Sequence, residues 1–194
     1  MQAIIISNIY LFILAIVLAI LEIQIEGKNG WAMDLPTWRP KKETWFWKIY
    51  KKLMSDREVT GYHITMFTFV LLILHLPFVF GEDINLINWL MTISTFFMFI
   101  VLWDFLWFVL NPHHPLKKFN QEHIWWHKKW WAGAPLDYYL AILFSFLVLL
   151  PAVFYYDLWT LIFWWAINIW MFIAQTALVI WFSLVVLKID NWKK

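Results

Sequence analysis

Long apolar blocks, separated by short polar segments, are the feature that most constrains this chain. About 20 consecutive apolar residues are enough to cross the hydrocarbon core of a bilayer. A helix of a soluble protein would carry polar residues every few positions on its wet face. Of the 194 residues, 63% are hydrophobic, whereas soluble domains are closer to about half apolar. The sequence therefore predicts an all-α integral membrane protein with a single domain over residues 1–194.

The block boundaries predict about five transmembrane helices and two polar inserts on one side. The expected spans are 3–21, 63–80, 86–110, 136–154 and 158–187, and the expected interfacial inserts are 27–62 and 111–135. The first block has no basic segment before it and no cleavage site, so we expect a retained helix rather than a signal peptide. Residues 45–54 alternate aromatics with lysines, which predicts a short amphipathic surface helix. Residues 26–40 are dense in Gly, Pro and Trp, which favours an ordered re-entrant or capping loop.

The distribution of basic residues predicts the orientation. All 15 Lys and Arg residues lie in the two inserts and in the tail after residue 187, and five spans place these segments on the same side. The positive-inside rule then puts the N-terminus outside and the C-terminus in the cytoplasm of a multi-pass protein of the cell membrane. We expect membrane lipid as a partner, with anionic headgroups against the basic inserts, and no nucleic acid. Many of the 17 Trp lie near the same boundary, either as an aromatic belt or as walls of an apolar pocket.

Ionisable residues in membrane segments are costly, so each is a functional candidate. Asp104 lies among apolar and aromatic residues, and the pairs Glu22/Glu26 and His123/His127 each have the i, i+4 spacing that places two side chains on one helical face. The alternative for each residue is a solvated or hydrogen-bonded side chain at the headgroup level. The candidate metal ligands at this boundary are Glu22, Glu26, His63, Asp104, His113, His114, Glu122, His123 and His127. Asp104 and Glu26 are also the catalytic candidates, and the candidate substrate pocket contains His75, Trp103, Trp107 and Asp137.

The ligand chemistry predicts a divalent metal, either iron or zinc, with enough ligands for two ions. Cysteine is absent, which excludes disulfides, thiolate metal sites and cysteine nucleophiles. Carboxylates and imidazoles without thiols suit these metals. The first hypothesis is a membrane metalloenzyme acting on a lipid or other apolar substrate, with oxidation or hydroxylation slightly favoured over hydrolysis. The alternatives are a non-catalytic protein that binds or transports a lipid or small molecule, a haem or quinone protein, and a structural or assembly subunit.

Overall fold

The computed structural model describes residues 1–53 and 57–192, and the chain is mostly helical. Within these ranges, five helical segments are long and apolar enough to cross a membrane. The elements are α1 (Gln2–Glu26), α2 (Trp45–Leu53), α3 (Gly61–Val79), α4 (Leu86–Leu110), α5 (Leu136–Leu147), α6 (Leu158–Trp181) and a hairpin of β1 (Trp130–Trp131) and β2 (Ala134–Pro135). The two short strands are the only departure from an all-α fold within these ranges, and the sequence did not indicate them.

The C-terminal ends of three spans differ in length or helix type from the expectation. The first helix continues to Glu26 rather than ending at 21, so both of its glutamates have helical geometry. The fourth span is helical to Leu147 and then narrows to a 3₁₀ turn over Leu150–Phe154, where Pro151 cannot donate a backbone hydrogen bond. The fifth span ends in a π-helical turn at Phe182–Val186. The expected surface helix over 45–54 is confirmed as α2, although Met54, like Lys193 and Lys194 of the tail, lies outside the described residues.

Helix α4 is the central element of the bundle. It is the most buried of the long helices, and it packs most extensively against α1 and α5. Ala15 and Ala19, one turn apart on α1, are completely buried and allow the two backbones to approach closely. This packing holds the C-terminal end of α1 beside the C-terminal end of α4.

A buried polar contact joins α1 to α6. The side-chain amide of Asn8 donates to the Oδ1 atom of Asn168 at 2.9 Å, and Gln175 donates to the Oδ1 atom of Asn8 at 2.7 Å. Asn8 is fully buried and cannot bond to water, so these side-chain bonds satisfy its polar atoms instead. The contact specifies how α6 is placed against α1, because its hydrogen bonds are satisfied in only one arrangement of the two helices.

Replacing Asn8 with Ala should destabilise the protein, because it leaves the amide of Gln175 without its acceptor. Interhelical hydrogen bonds in membrane proteins contribute about 1 kcal/mol, which corresponds to a fall of a few degrees in the melting temperature. Thermal unfolding of the purified protein in detergent measures this change. Ser7→Ala is the matched control, because the exposed Ser7 hydroxyl bonds only to its own helix. Equal melting temperatures for both variants would contradict the role given to Asn8.

Candidate functional site

Two carboxylates lie side by side at the C-terminal end of α1. Glu22 and Glu26 are one turn apart on the same helical face, and both side chains are buried. The helix ends at Gly27, whose φ of 63° lets the chain turn back over these acids. In that return, the backbone N–H of Ala32 donates to the Oε1 atom of Glu26 at 2.5 Å. The loop therefore covers the two carboxylates and shields them from water.

His63 approaches the same carboxylates from the first turn of α3. Thr60 caps this helix, and its hydroxyl lies 2.7 Å from Nδ1 of His63. This contact directs Nε2 towards Glu26, whose Oε1 atom is 3.5 Å away. The Trp31 ring stacks on the imidazole at 3.9 Å between centroids, which fixes the ring plane. When Nδ1–H donates to Thr60, Nε2 presents its lone pair to the carboxylates, as a metal-binding histidine does.

Glu22, Glu26 and His63 together form a group with metal-ligand chemistry, which we call the three-ligand group. One ligand atom from each residue can be chosen so that all lie within 4.8 Å of one another. Two carboxylate oxygens and one imidazole nitrogen suit zinc or iron. No Lys or Arg within residues 1–53 and 57–192 forms an ion pair with either glutamate.

His127 joins two further carboxylates on the other side of the site. Its Nε2 atom lies 3.2 Å from Asp104 and its Nδ1 atom 3.1 Å from Asp137. The ring is almost completely buried, with 1% of its surface exposed. An imidazole donates from both nitrogens only when it is protonated, so this geometry favours the imidazolium form. His127 therefore acts as a buried cation between two aspartates.

Arg57 and Tyr138 complete this second cluster, and sequence reasoning missed both. Arg57 pairs with Asp137 while its guanidinium lies over the Trp31 ring, and Tyr138 donates its hydroxyl hydrogen bond to Asp104. Arg57 was one basic residue among many in the first insert, with nothing in its local pattern to distinguish it. The sequence could have indicated Tyr138 as a site residue, because it directly follows the candidate Asp137 at the start of a helix. We refer to Asp104, His127, Asp137, Arg57 and Tyr138 as the acid–base cluster.

The hairpin holds His127 between its partners. The indole N–H of Trp130 donates to the backbone carbonyl of His127 at 2.6 Å. The turn residues Ala132 and Gly133 both have positive φ, as a tight two-residue hairpin requires. The backbone N–H of Leu136 then bonds to the carbonyl of Lys129 at 2.8 Å, which brings the start of α5 next to the histidine.

The three-ligand group and the acid–base cluster line one cavity of about 430 Å³. Trp103 and Trp107, expected from the sequence as pocket walls, lie in its lining, as does Trp31. The cavity has a polar end, formed by the two groups, and an apolar end lined by Phe67, Phe97, Ile100, Val101, Leu140, Ala141 and Phe144. Such a cavity can take a molecule with one polar end and one apolar end.

The other histidine and glutamate candidates lie outside the cavity lining. His113, Glu122 and His123 are exposed, and the His123 ring bonds to Asn120 at 2.8 Å. The Nε2 atom of His114 lies 2.8 Å from the carbonyl oxygen of Lys28, so this ring links the two inserts.

His75, expected in the substrate pocket, lies elsewhere on α3. Its Nδ1 atom is 2.7 Å from the carbonyl oxygen of Leu71, and its ring packs near Phe78. It does not line the cavity that contains His63. The i, i+4 pair His123/His127 is likewise divided, because the second insert is not a continuous helix and turns the two rings apart.

No protein-family model matches this chain, and no curated protein or solved structure matches it. The functional assignment therefore depends on the cavity and on the residues that line it.

Stability should depend on pH through His127. Burial opposes protonation, but the Asp104 carboxylate and the hydrogen bonds to Asp104 and Asp137 outweigh it and raise the pKa of His127 above its ordinary value of 6.5. A histidine whose pKa is higher in the folded than in the unfolded state stabilises the fold. This stabilisation is complete at pH values below the unfolded-state pKa, and it is lost as the pH rises through the folded-state pKa. The stability advantage of the native protein over His127→Gln should therefore shrink as pH increases.

Thermal unfolding in detergent from about pH 5 to about pH 9 covers this transition. His123→Gln is the control, because His123 is exposed four residues away and its ring bonds to Asn120 rather than to either aspartate. A stability difference between the native protein and His127→Gln that does not vary with pH would contradict the imidazolium assignment.

Proposed function

We propose that this protein is an integral membrane metalloenzyme that acts on the polar end of a lipid or other apolar substrate at the cytoplasmic boundary. Glu22, Glu26 and His63 would bind the metal. The observation that carries the proposal is the convergence of these three buried side chains, from two helices distant in sequence, to within 4.8 Å.

The electrostatics of the site support a bound cation. Glu22 and Glu26 are buried beside one another, and within the described ranges neither has a Lys or Arg partner. Two carboxylates in a low-dielectric site repel one another and lose hydration, so they either take up protons or bind a cation. A divalent metal would compensate both charges at once.

The number of ligands is suited to catalysis. Catalytic metal ions keep three protein ligands and leave at least one position open for water or substrate. The three-ligand group has this composition and lines a cavity that can admit a substrate. Iron in this site would favour oxidation or hydroxylation and zinc would favour hydrolysis. The preference for oxidation drawn from the sequence stays a prediction.

The two catalytic candidates have different roles in this proposal: Asp104, in the acid–base cluster, transfers protons, and Glu26 binds the metal. Asp104 lies on the wall of the same cavity and is hydrogen-bonded to His127 and Tyr138. A carboxylate linked to a protonated imidazole can accept or return a proton during a reaction.

The proposal includes the orientation predicted from the basic residues. The inserts that carry the lysines would lie on the cytoplasmic side, together with the polar end of the cavity. Lys48 and Lys52 are exposed on α2, where they would meet anionic headgroups of the membrane.

Metal analysis of detergent-purified protein tests the site. The native protein should retain close to one iron or zinc ion per chain in the three-ligand group. Glu26→Gln and His63→Ala should each lower affinity by at least about tenfold, because each removes one of three ligands. Elemental analysis after dialysis against a weak chelator measures this loss.

Glu122→Gln and His123→Ala are the matched controls. They remove the same kinds of side chain from exposed positions, and they should retain metal at the native level. Metal-free native protein after expression in metal-supplemented medium would overturn the proposal. Metal retained by the site variants but lost by the controls would place the ion in the second insert instead.

A further inference from the structure

Two apolar stripes lead from the acids of the cavity into the bundle. On α4, Phe97, Ile100 and Val101 lie on the helical face that ends at Asp104. On α5, Leu140, Ala141 and Phe144 follow Asp137 in the same way. Each stripe joins apolar side chains to the polar end of the site without a break.

These stripes form a groove whose open side lies between α3 and α5. Phe67, one turn beyond His63, is the contribution of α3 to the groove lining. Within the part of the chain that is described, α3 and α5 both flank α4 but do not pack closely against one another. Leu140 and Phe144 line the groove and are still 43% and 49% exposed. The groove is therefore open on a side that would face hydrocarbon chains in a bilayer.

The size of the groove suits one chain rather than two. From Phe97 to Asp104 the helix advances about 10 Å at about 1.5 Å per residue. That is roughly a third of the ~30 Å hydrocarbon core. The cavity volume of about 430 Å³ is near the lower end of the range for ligand pockets, which is about 300–1,000 Å³. A longer tail would continue through the open side into the bilayer.

The charge balance of the polar end favours an uncharged head. The cavity holds four carboxylates, Glu22, Glu26, Asp104 and Asp137, against the cations Arg57 and His127. A divalent metal in the three-ligand group, with His63 as a neutral ligand, brings the total to zero. An anionic head would then add uncompensated negative charge in a low-dielectric site, which is unfavourable. A hydroxyl, ester or amide would supply a neutral oxygen to the metal.

We propose that the substrate is a single-chain amphiphile with an uncharged, oxygen-bearing head, and that it reaches the polar end sideways from the bilayer through the groove between α3 and α5. This inference rests on the proposed function, since the head is placed at the metal. Ala141 is the position that sets the space for the chain, because it is the smallest side chain in the groove lining.

Photo-crosslinking of the full chain, reconstituted in lipid nanodiscs, tests the inference. The probe is a monoacylglycerol with a diazirine in its acyl chain, and mass spectrometry identifies the labelled residues. Label should concentrate on the groove residues of α4 and α5. Unlabelled monoacylglycerol should compete, whereas lysophosphatidic acid of the same chain length and diacylglycerol should compete at least about tenfold less well.

Ala141→Trp should reduce groove labelling by about tenfold by filling the space. Leu143→Trp is the matched control, because Leu143 lies two positions away on the same helix, is 49% exposed and is absent from the groove lining. It should leave labelling unchanged. Should Ala141→Trp fail to fold, Ala141→Leu serves with a smaller expected reduction.

Equal competition by the anionic or the two-chain lipid would overturn the inference, as would labelling spread equally over the lipid-facing side of α5. Metal content, measured on the same preparations, separates this inference from the proposed function. Groove labelling absent from metal-loaded protein contradicts only the substrate class and its route. Specific labelling of protein that binds no metal supports the groove while contradicting the enzyme.

Discussion

The need to compensate buried carboxylates is the constraint on which the site depends. Four acids line the polar end of one cavity. Asp104 and Asp137 are compensated from within the chain, by His127 between them and by Arg57 on Asp137. Glu22 and Glu26 form no ion pair with Lys or Arg among the described residues, and His63 is the basic side chain beside Glu26. In our proposal a metal supplies the charge that the chain does not, so the difference between the two pairs is also a difference in function.

The central position of α4 brings these two pairs together. Its packing against α1 places Asp104 near the glutamates, and its packing against α5 places the same residue near Asp137. The loop after Gly27 then covers the site with Trp31, which contacts both His63 and Arg57. Gly30 makes this cover possible, because its φ is positive and a side chain there would collide with the Trp126 ring. One indole therefore links the three-ligand group to the acid–base cluster.

The sequence predicted the five apolar helices but not which side chains converge. Hydropathy located five long helices, and the i, i+4 spacing correctly placed Glu22 and Glu26 on one face once α1 extended to residue 26. The spacing of apolar residues predicts nothing about the irregular inserts, because backbone turns there determine where each histidine ring points. The sequence placed His114 and His127 at the same expected boundary. In the structure, however, the His114 ring lies against a loop carbonyl, whereas the His127 ring lies between two aspartates. Arg57 could not be distinguished because its partner Asp137 is 80 residues away.

X-ray absorption spectroscopy of the native protein, at the edge of the metal that we propose it binds, is the most direct test of the central claim. The account predicts one imidazole together with oxygen ligands at about 2.0–2.2 Å, and loss of the imidazole signal in His63→Ala. The same variant should keep the oxygen shell when metal is added in excess, because Glu22 and Glu26 remain. Two or more imidazoles in the first shell, or an imidazole signal that survives in His63→Ala, would contradict a metal bound by Glu22, Glu26 and His63.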